Sequence, residues 1–313
     1  MASPAARILI IDEMHPSLFP LLEGIGAEAD YRPDMAPADV RQALAEYNGL
    51  IIRSKMRVTA ETIELAGQLK FVARAGAGVD NIDAQALQER GIALLGANEG
   101  NRQAVGEFAA GVLVALVRHI PRSDRQVREK VWLREENRGE EISGKTVGII
   151  GYGNMGQRFA KVLSGFGCRI IAYDRFAPGK IQAPAENVTL AQLQADADVV
   201  SLHIPYISEN LGMVNDAFFE SLRKPVWFLN TSRGDVVDQA ALVRHLKSGK
   251  VKGAALDVLE NEKLKTLTAA QQENFQYLAT ADNVILTPHI AGWTHESYIK
   301  INEVLVEKIR QLL

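Results

Sequence analysis

Short runs of Val, Ile and Leu, scarcely interrupted by polar residues, recur along this chain and alternate with longer stretches of helical spacing. A strand that is apolar on both faces needs cover on both faces, and helices between consecutive strands supply it. The alternation therefore predicts βαβ units and parallel sheets. In the first third the runs are Arg7–Asp12, Ala27–Arg32, Leu50–Ser54, Phe71–Ala75 and Ala93–Gly96, with helical stretches at Ser17–Gly24, Ala38–Tyr47, Ala60–Ala66 and Asp83–Arg90. A second series follows at Thr146–Ile150, Arg169–Tyr173, Asp198–His203, Val226–Asn230, Gly253–Val258 and Asn283–Thr287. Six strands with intervening helices match a complete dinucleotide-binding domain.

A long helical pattern, Ala104 to about Lys130, separates the two series. Its first half is apolar. Its second half leads into Arg118–Arg138, where Asp124, Glu129, Glu135 and Glu136 balance the arginines, so it reads as a solvated helix or subunit-contact arm. The tail, Glu296–Leu313, has apolar residues Ile299, Ile301, Val304, Leu305, Ile309 and Leu312 at a spacing that fits one amphipathic helix, which is expected to pack back on another part of the molecule.

A chain of 313 residues suggests two domains. The formal net charge of −3 offers no basic field for nucleic acid. Cys168 is the single cysteine, so no intramolecular disulfide can form, and it reads as a small buried hydrophobe rather than a nucleophile. No signal-peptide pattern opens the sequence, and Phe108–Val117, the longest apolar segment, falls short of the ~18–20 residues that span a bilayer. A soluble, cytoplasmic protein is expected. The six histidines are scattered and show no zinc-ligand spacing, so no metal site is expected.

The run Thr146–Ile150 leads directly into Gly151-Tyr-Gly153-Asn154-Met155-Gly156 and then a helical stretch, Gln157–Gly165. Three glycines at this spacing allow a tight turn, close approach of backbone to a pyrophosphate, and close helix–strand packing. The following helix offers free N–H groups and a positive dipole end to phosphate. The next strand runs out at Asp174, 18 residues beyond Gly156, where a carboxylate accepts hydrogen bonds from the adenosine ribose and repels the 2′-phosphate of NADP. NAD is the expected cofactor. Arg175 partly offsets that repulsion, which leaves residual NADP use open.

Three later segments bring polar residues to the C-terminal ends of strands, where open α/β sheets bind ligands. They are Asn230-Thr231-Ser232-Arg233-Gly-Asp, Asp257-Val-Leu-Glu-Asn-Glu262 and Thr287-Pro-His289-Ile-Ala-Gly-Trp293-Thr. Singly, each is open to a structural reading: Arg233 as an ion-pair arginine, Glu262 as one surface acid beside Glu260, His289 as a satisfied histidine. Jointly they make a chemistry. Hydride removal from a secondary alcohol needs a base for the hydroxyl proton, which histidine supplies near neutral pH. A carboxylate on the far ring nitrogen fixes the tautomer. An arginine fork suits a substrate carboxylate.

Along essentially its whole length the chain resembles the D-isomer-specific 2-hydroxyacid dehydrogenase family. The residues carrying the resemblance are Gly76-Ala-Gly-Val-Asp-Asn-Ile-Asp83, Gly151–Gly156, Leu202-His-Ile-Pro205, Asn230–Gly234, Asp257–Glu262 and Pro288–Thr294. The resemblance implies two doubly wound parallel-sheet domains with an active-site cleft between them. One is a discontinuous, flavodoxin-like substrate domain of residues 1–100 plus 288–313. The other is a Rossmann NAD domain of residues 101–287, with a dimerisation helix and arm near 101–140. It implies Arg233 as carboxylate binder, His289 as acid/base, Glu262 as its partner, and Asp257 as hydrogen-bond partner of the nicotinamide carboxamide. Gly76, Ala77 and Gly78 would cradle the substrate carboxylate. His203, Ile204 and Pro205 would line the adenine and ribose side, and Thr231 and Ser232 the cofactor. Two departures bear on loop shape: Lys263 stands where the family often has proline, and Gly96-Ala-Asn98-Glu-Gly-Asn101 replaces an Asn-x-Pro turn.

The cations Arg53, Lys55, Arg57, Arg74 and Arg102 fall where the first domain should meet substrate, with Ser54 among them. With Arg233 serving one carboxylate, further cations imply a second anionic group, and phosphate is the natural candidate. The expected activity is therefore oxidation of D-3-phosphoglycerate, the entry to serine synthesis, by a short form without a regulatory tail, hence without serine feedback of the kind such a domain mediates. The alternatives are a glyoxylate or hydroxypyruvate reductase with structural arginines, and, in another class, a non-catalytic NAD(H)-sensing corepressor-like protein.

Overall fold

The computed structural model describes residues 5–177 and 179–313. The chain divides into two compact units: Met1–Arg102 with Trp293–Leu313, and Gln103–Gly292.

The first unit holds five parallel strands, β1 (Arg7–Ile10), β2 (Glu28–Tyr31), β3 (Gly49–Ile52), β4 (Phe71–Arg74) and β5 (Ala93–Gly96). Their order is β2-β1-β3-β4-β5, the flavodoxin-like arrangement. Alternation along the strands splits the core in two. Leu9, Leu50 and Val72 pack on one face with Val40, Ile63 and Leu87. Ile8, Ile10, Ile51 and Phe71 pack on the other with Leu18 and Leu22 and with Ile301, Leu305 and Ile309 of the tail helix His295–Arg310. The tail's apolar stripe is thus spent on covering this sheet.

The second unit holds seven parallel strands, β6 (Thr146–Ile150), β7 (Arg169–Tyr173), β8 (Glu186–Asn187), β9 (Val199–Leu202), β10 (Val226–Asn230), β11 (Val251–Leu256) and β12 (Val284–Leu286). Their order is β12-β11-β10-β9-β6-β7-β8, a doubly wound sheet whose order reverses at β6/β9. One face carries Leu113 and Val117 of the helix Arg102–Val117 and Phe159 and Leu163 of the helix Asn154–Leu163. The other carries Leu193, Phe219 and Leu242 from the helices Leu190–Asp196, Asp216–Ser221 and Gln239–Lys247.

Several sequence expectations are corrected. Residues 60–66 do not form the expected helix: after one helical bond, from the Ile63 N–H to the Thr59 carbonyl, the backbone closes tighter turns, Glu64 N–H to Glu61 and Ala66 N–H to Ile63. The single helix expected over 104–130 is two, Arg102–Val117 and Ile120–Arg128, bent by 61°. His119 takes the left-handed conformation at φ 53°, and Pro121, having no N–H, cannot extend a preceding helix. β8 is two residues long and too short for periodicity to register. Finally, residues 288–292 belong to the second unit, not the first. Asp257 at the end of β11 holds them there through the backbone of His289, Ile290 and Ala291. Among the described residues no single helix is long and apolar enough to cross a membrane.

Candidate functional site

All seven strands of the second sheet run in one direction, so the segments that follow them share its C-terminal edge. Gly151 follows β6, Asp174 follows β7, His203 follows β9, Thr231–Arg233 follow β10, Asp257–Glu262 follow β11, and His289 follows β12.

The glycine turn has the shape a dinucleotide phosphate needs. Gly151 has φ 91°, and a Cβ on it would meet the His203 carbonyl; a Cβ on Gly156 would meet the Gly151 carbonyl. Strand, helix and neighbouring loop can approach this closely only with glycine at both positions. A Cβ on Gly153, by contrast, would point into open space. Gly153 precedes the helix that Asn154 and Met155 begin, and no side chain caps that helix. Its first N–H groups thus stand at the positive end of the dipole, beside the open face of Gly153. Thr231 Oγ1 is buried without a hydrogen-bond partner. These features fit NAD.

Asp174 accepts the N–H of Tyr152 (2.8 Å) at one oxygen, and those of Phe176 (2.9 Å) and Ala177 (3.2 Å) at the other. Its carboxylate is held beside the glycine turn. The Arg175 guanidinium donates to the Glu209 carbonyl at 3.4 Å. Of the three residues expected to line the adenine side, His203 contributes backbone. Its ring turns inward, 5.1 Å from the Phe159 ring, and its Nε2 shares a 2.9 Å hydrogen bond with Ser201 Oγ. Burial pushes that imidazole's pKa down to about 3, so it is neutral. Ile204 packs towards Gly151, and the Pro205 carbonyl accepts from Asn210.

The loop after β10 is shaped by Asn230, which is 1% exposed. Its Oδ1 accepts from the N–H (3.0 Å) and hydroxyl (2.8 Å) of Ser232, and its Nδ2 donates to the Arg233 carbonyl (2.8 Å). Arg233 is thereby presented on a braced turn, with Nη1 donating to the Ser232 carbonyl at 2.8 Å. Gly234 lies against the Leu259 carbonyl where a side chain would not fit, which brings the Arg233 turn against the loop carrying Glu262.

Glu262 and His289 meet. His289 Nδ1 lies 3.0 Å and 3.2 Å from the two Glu262 oxygens, while Nε2 has no hydrogen-bond partner among the described residues. Glu260 is engaged elsewhere, with Gln271 at 3.4 Å. His289 sits at φ 57°, an uncommon conformation for a residue with a side chain. Asp257, 2% exposed, accepts the Thr287 hydroxyl and the Ile290 N–H at one oxygen and the Ala291 N–H at the other. The residue expected to contact a carboxamide is thus engaged, at both oxygens, in anchoring the His289 loop.

In the first unit, Arg53-Ser54-Lys55 follow β3 and Gly76-Ala77-Gly78 follow its neighbour β4, at one sheet edge. Arg74 Nε donates to the Arg53 carbonyl (3.2 Å), and Asn81 Nδ2 to the carbonyls of Arg53 (3.3 Å) and Met56 (3.0 Å), tying the two loops together. Ser54 is exposed. Lys55 Nζ is turned to the Pro33 carbonyl. Arg53 lies against the rings of Trp293 and Tyr298, in the corner where they meet. Asn81, Asn230 and Trp293 stood in the motifs without a role assigned to them, and Tyr298 was not singled out; for Asn230 the Asn-x-x-Arg spacing was the available signal, and a weak one.

Residues 110–291, more than half of the chain, match the model of the NAD binding domain of D-isomer specific 2-hydroxyacid dehydrogenases. The chain belongs to that family. Among related dehydrogenases, a D-3-phosphoglycerate dehydrogenase of Archaeoglobus fulgidus is 35% identical over 306 residues, a match covering 97% of this chain and 56% of that protein. This chain therefore spans little more than half of that relative's length. A hydroxypyruvate reductase of Thermotoga maritima is 38% identical over 271 residues, covering 87% of this chain and 86% of that one. A solved structure from Thermus thermophilus superposes with a TM-score of 0.81 at 29% identity, over 96% of this chain and 94% of the other.

Proposed function

We propose that the protein transfers hydride between C2 of a small D-2-hydroxy acid and NAD, with D-3-phosphoglycerate as the substrate. The observation that carries the reaction type is the Glu262–His289 pair, at the same sheet edge as the glycine turn and Arg233. In the oxidative direction His289 Nε2 takes the C2 hydroxyl proton, and in the reverse direction it returns it. Glu262 holds Nδ1 and opposes the positive charge that forms on the ring. Arg233 binds the substrate carboxylate. Bound NAD supplies the hydride acceptor. Asp174 favours NAD over NADP by charge. A purely NAD(H)-sensing role would leave the Glu262–His289 pair without a task.

The phosphorylated substrate is favoured by Arg53, whose Nε and Nη2 donors have no partner among the described residues, and by the A. fulgidus relative. A hydroxypyruvate or glyoxylate reductase is the second reading, favoured by the T. maritima relative that this chain matches over most of its length. Initial rates with NAD and D-3-phosphoglycerate, against NADH with glyoxylate and hydroxypyruvate, separate the two. Turnover of the small keto acids alone overturns the phosphate assignment and leaves the mechanism.

For assembly, the segment from Ile120 to Leu133 exposes Ile120, Val127, Val131, Trp132 and Leu133, with Trp132 80% exposed. Such a patch supports pairing with a second copy of the chain. Sedimentation of Trp132→Glu tests this: a shift from dimer to monomer is expected. The one cysteine, unpaired, is consistent with a reducing cytoplasm.

A further inference from the structure

We propose that Trp293 and Tyr298 position the anion-binding group of the substrate site by clamping the Arg53 guanidinium in the corner that their two rings form. The proposal rests on the phosphate reading given above. The Arg53 Cζ lies 4.6 Å from each ring centroid, and the rings meet edge to face at 5.0 Å. Tyr298 Oη accepts from Arg53 Nη1, which also donates to the Glu13 carbonyl at 3.4 Å. His15 closes the far side of Tyr298, ring to ring at 6.1 Å.

A guanidinium has five N–H donors. Nη1 uses its two here, while the three on Nε and Nη2 are without partners among the described residues, and no carboxylate stands within ion-pair distance of Arg53. A surface arginine in water sweeps many rotamers and loses about 2 kcal/mol of freedom when an anion fixes it. Arg53 is fixed beforehand, by a corner of two rings and one hydroxyl, with its unused donors left as a fork. Burial lowers its pKa, as for a cation stripped of water, while the charges of Asp12 and Glu13 oppose the shift. A half-buried, prearranged fork with three idle donors suits a tetrahedral oxyanion. Trp293 and Tyr298 come from the start of the tail segment, 240 or more residues away from Arg53 along the chain, as the separation of 245 between Arg53 and Tyr298 shows.

The test compares kcat and KM of Arg53→Ala, Trp293→Leu, Trp293→Phe, Tyr298→Leu and Tyr298→Phe with D-3-phosphoglycerate and with glyoxylate, with a thermal melt of each. Loss of either ring is expected to raise KM for the phosphorylated acid about 3- to 30-fold with little change in kcat. The ratio of kcat/KM between the two acids falls accordingly. Trp293→Phe recovers most of the loss because a ring remains. Tyr298→Phe, which keeps the ring and removes only the acceptor, gives an intermediate loss and serves if a leucine variant does not fold. If Arg53→Ala raises KM and all the ring variants match wild type, the clamp is overturned and the phosphate reading survives. If Arg53→Ala leaves KM unchanged, the phosphate reading falls and the clamp with it.

Discussion

Asp257 is joined to His289 through backbone: the Asp257 carbonyl accepts the His289 N–H at 2.8 Å, while its carboxylate accepts the two N–H groups that follow. The left-handed backbone of His289 costs about 1–3 kcal/mol and persists because this set of bonds over-determines it. Asp257→Ala removes the acceptor of the Thr287 hydroxyl and of two N–H groups, and each unsatisfied group costs about 1–3 kcal/mol. A lower melting temperature together with a fall in kcat is expected. A variant that loses neither would show that the loop holds itself.

His289→Gln removes the proposed proton carrier and keeps a side chain of similar reach. A loss of at least about 10²-fold in kcat is expected, with NADH binding, followed by fluorescence, retained. Unchanged kcat rules out His289 as the acid/base.

The glycines of the cofactor turn separate into two kinds. Gly156→Ala drives a Cβ into the Gly151 carbonyl and is expected to lower stability by about 1–3 kcal/mol. Gly153→Ala meets nothing in the protein at a φ of −78°, so stability should change by no more than about 0.5 kcal/mol. NAD affinity should nonetheless fall at least about tenfold, equivalent to about 1.4 kcal/mol, on the proposal that the pyrophosphate approaches the open face of Gly153. Equal effects of the two variants on stability would contradict this division.

His203 makes stability depend on pH. Its pKa is about 3 in the folded chain against an ordinary value of 6.5, so below pH 6.5 the unfolded chain binds a proton that the folded chain refuses. Stability is thus undiminished above the unfolded value and is lost as pH falls towards the folded one, by at most about 1.4 kcal/mol per pH unit. Denaturant unfolding of His203→Gln across this range should show a slope smaller by one proton. Identical slopes in the two proteins would mean that His203 is not the group responsible.

Much of the fold was legible because its signals are local. A strand buried on both faces must be apolar throughout, so β1, β3, β4, β6, β9 and β10 announce themselves as runs. The misreadings also have local causes that periodicity does not weigh: the tight turns closed at Glu64 and Ala66, and the proline at 121 near the start of the second helix. For the site, residue types and order offered His289, Arg233 and a nearby acid as candidates, and the family resemblance named Glu262. Residue types alone do not choose between Glu260 and Glu262, which differ only in where their carboxylates point.

By itself the sequence determined the parallel α/β architecture, the glycine turn and the residue types available for acid/base work and anion binding, since each rests on neighbours along the chain. Tertiary structure alone decided that Asp257 anchors the His289 loop and that the His203 ring faces inward. It also decided that Arg53 lies in a corner of two rings drawn from the far end of the chain. These are contacts between residues tens to hundreds of positions apart, fixed by how strands align in a sheet and which helix covers it, and no local pattern encodes them.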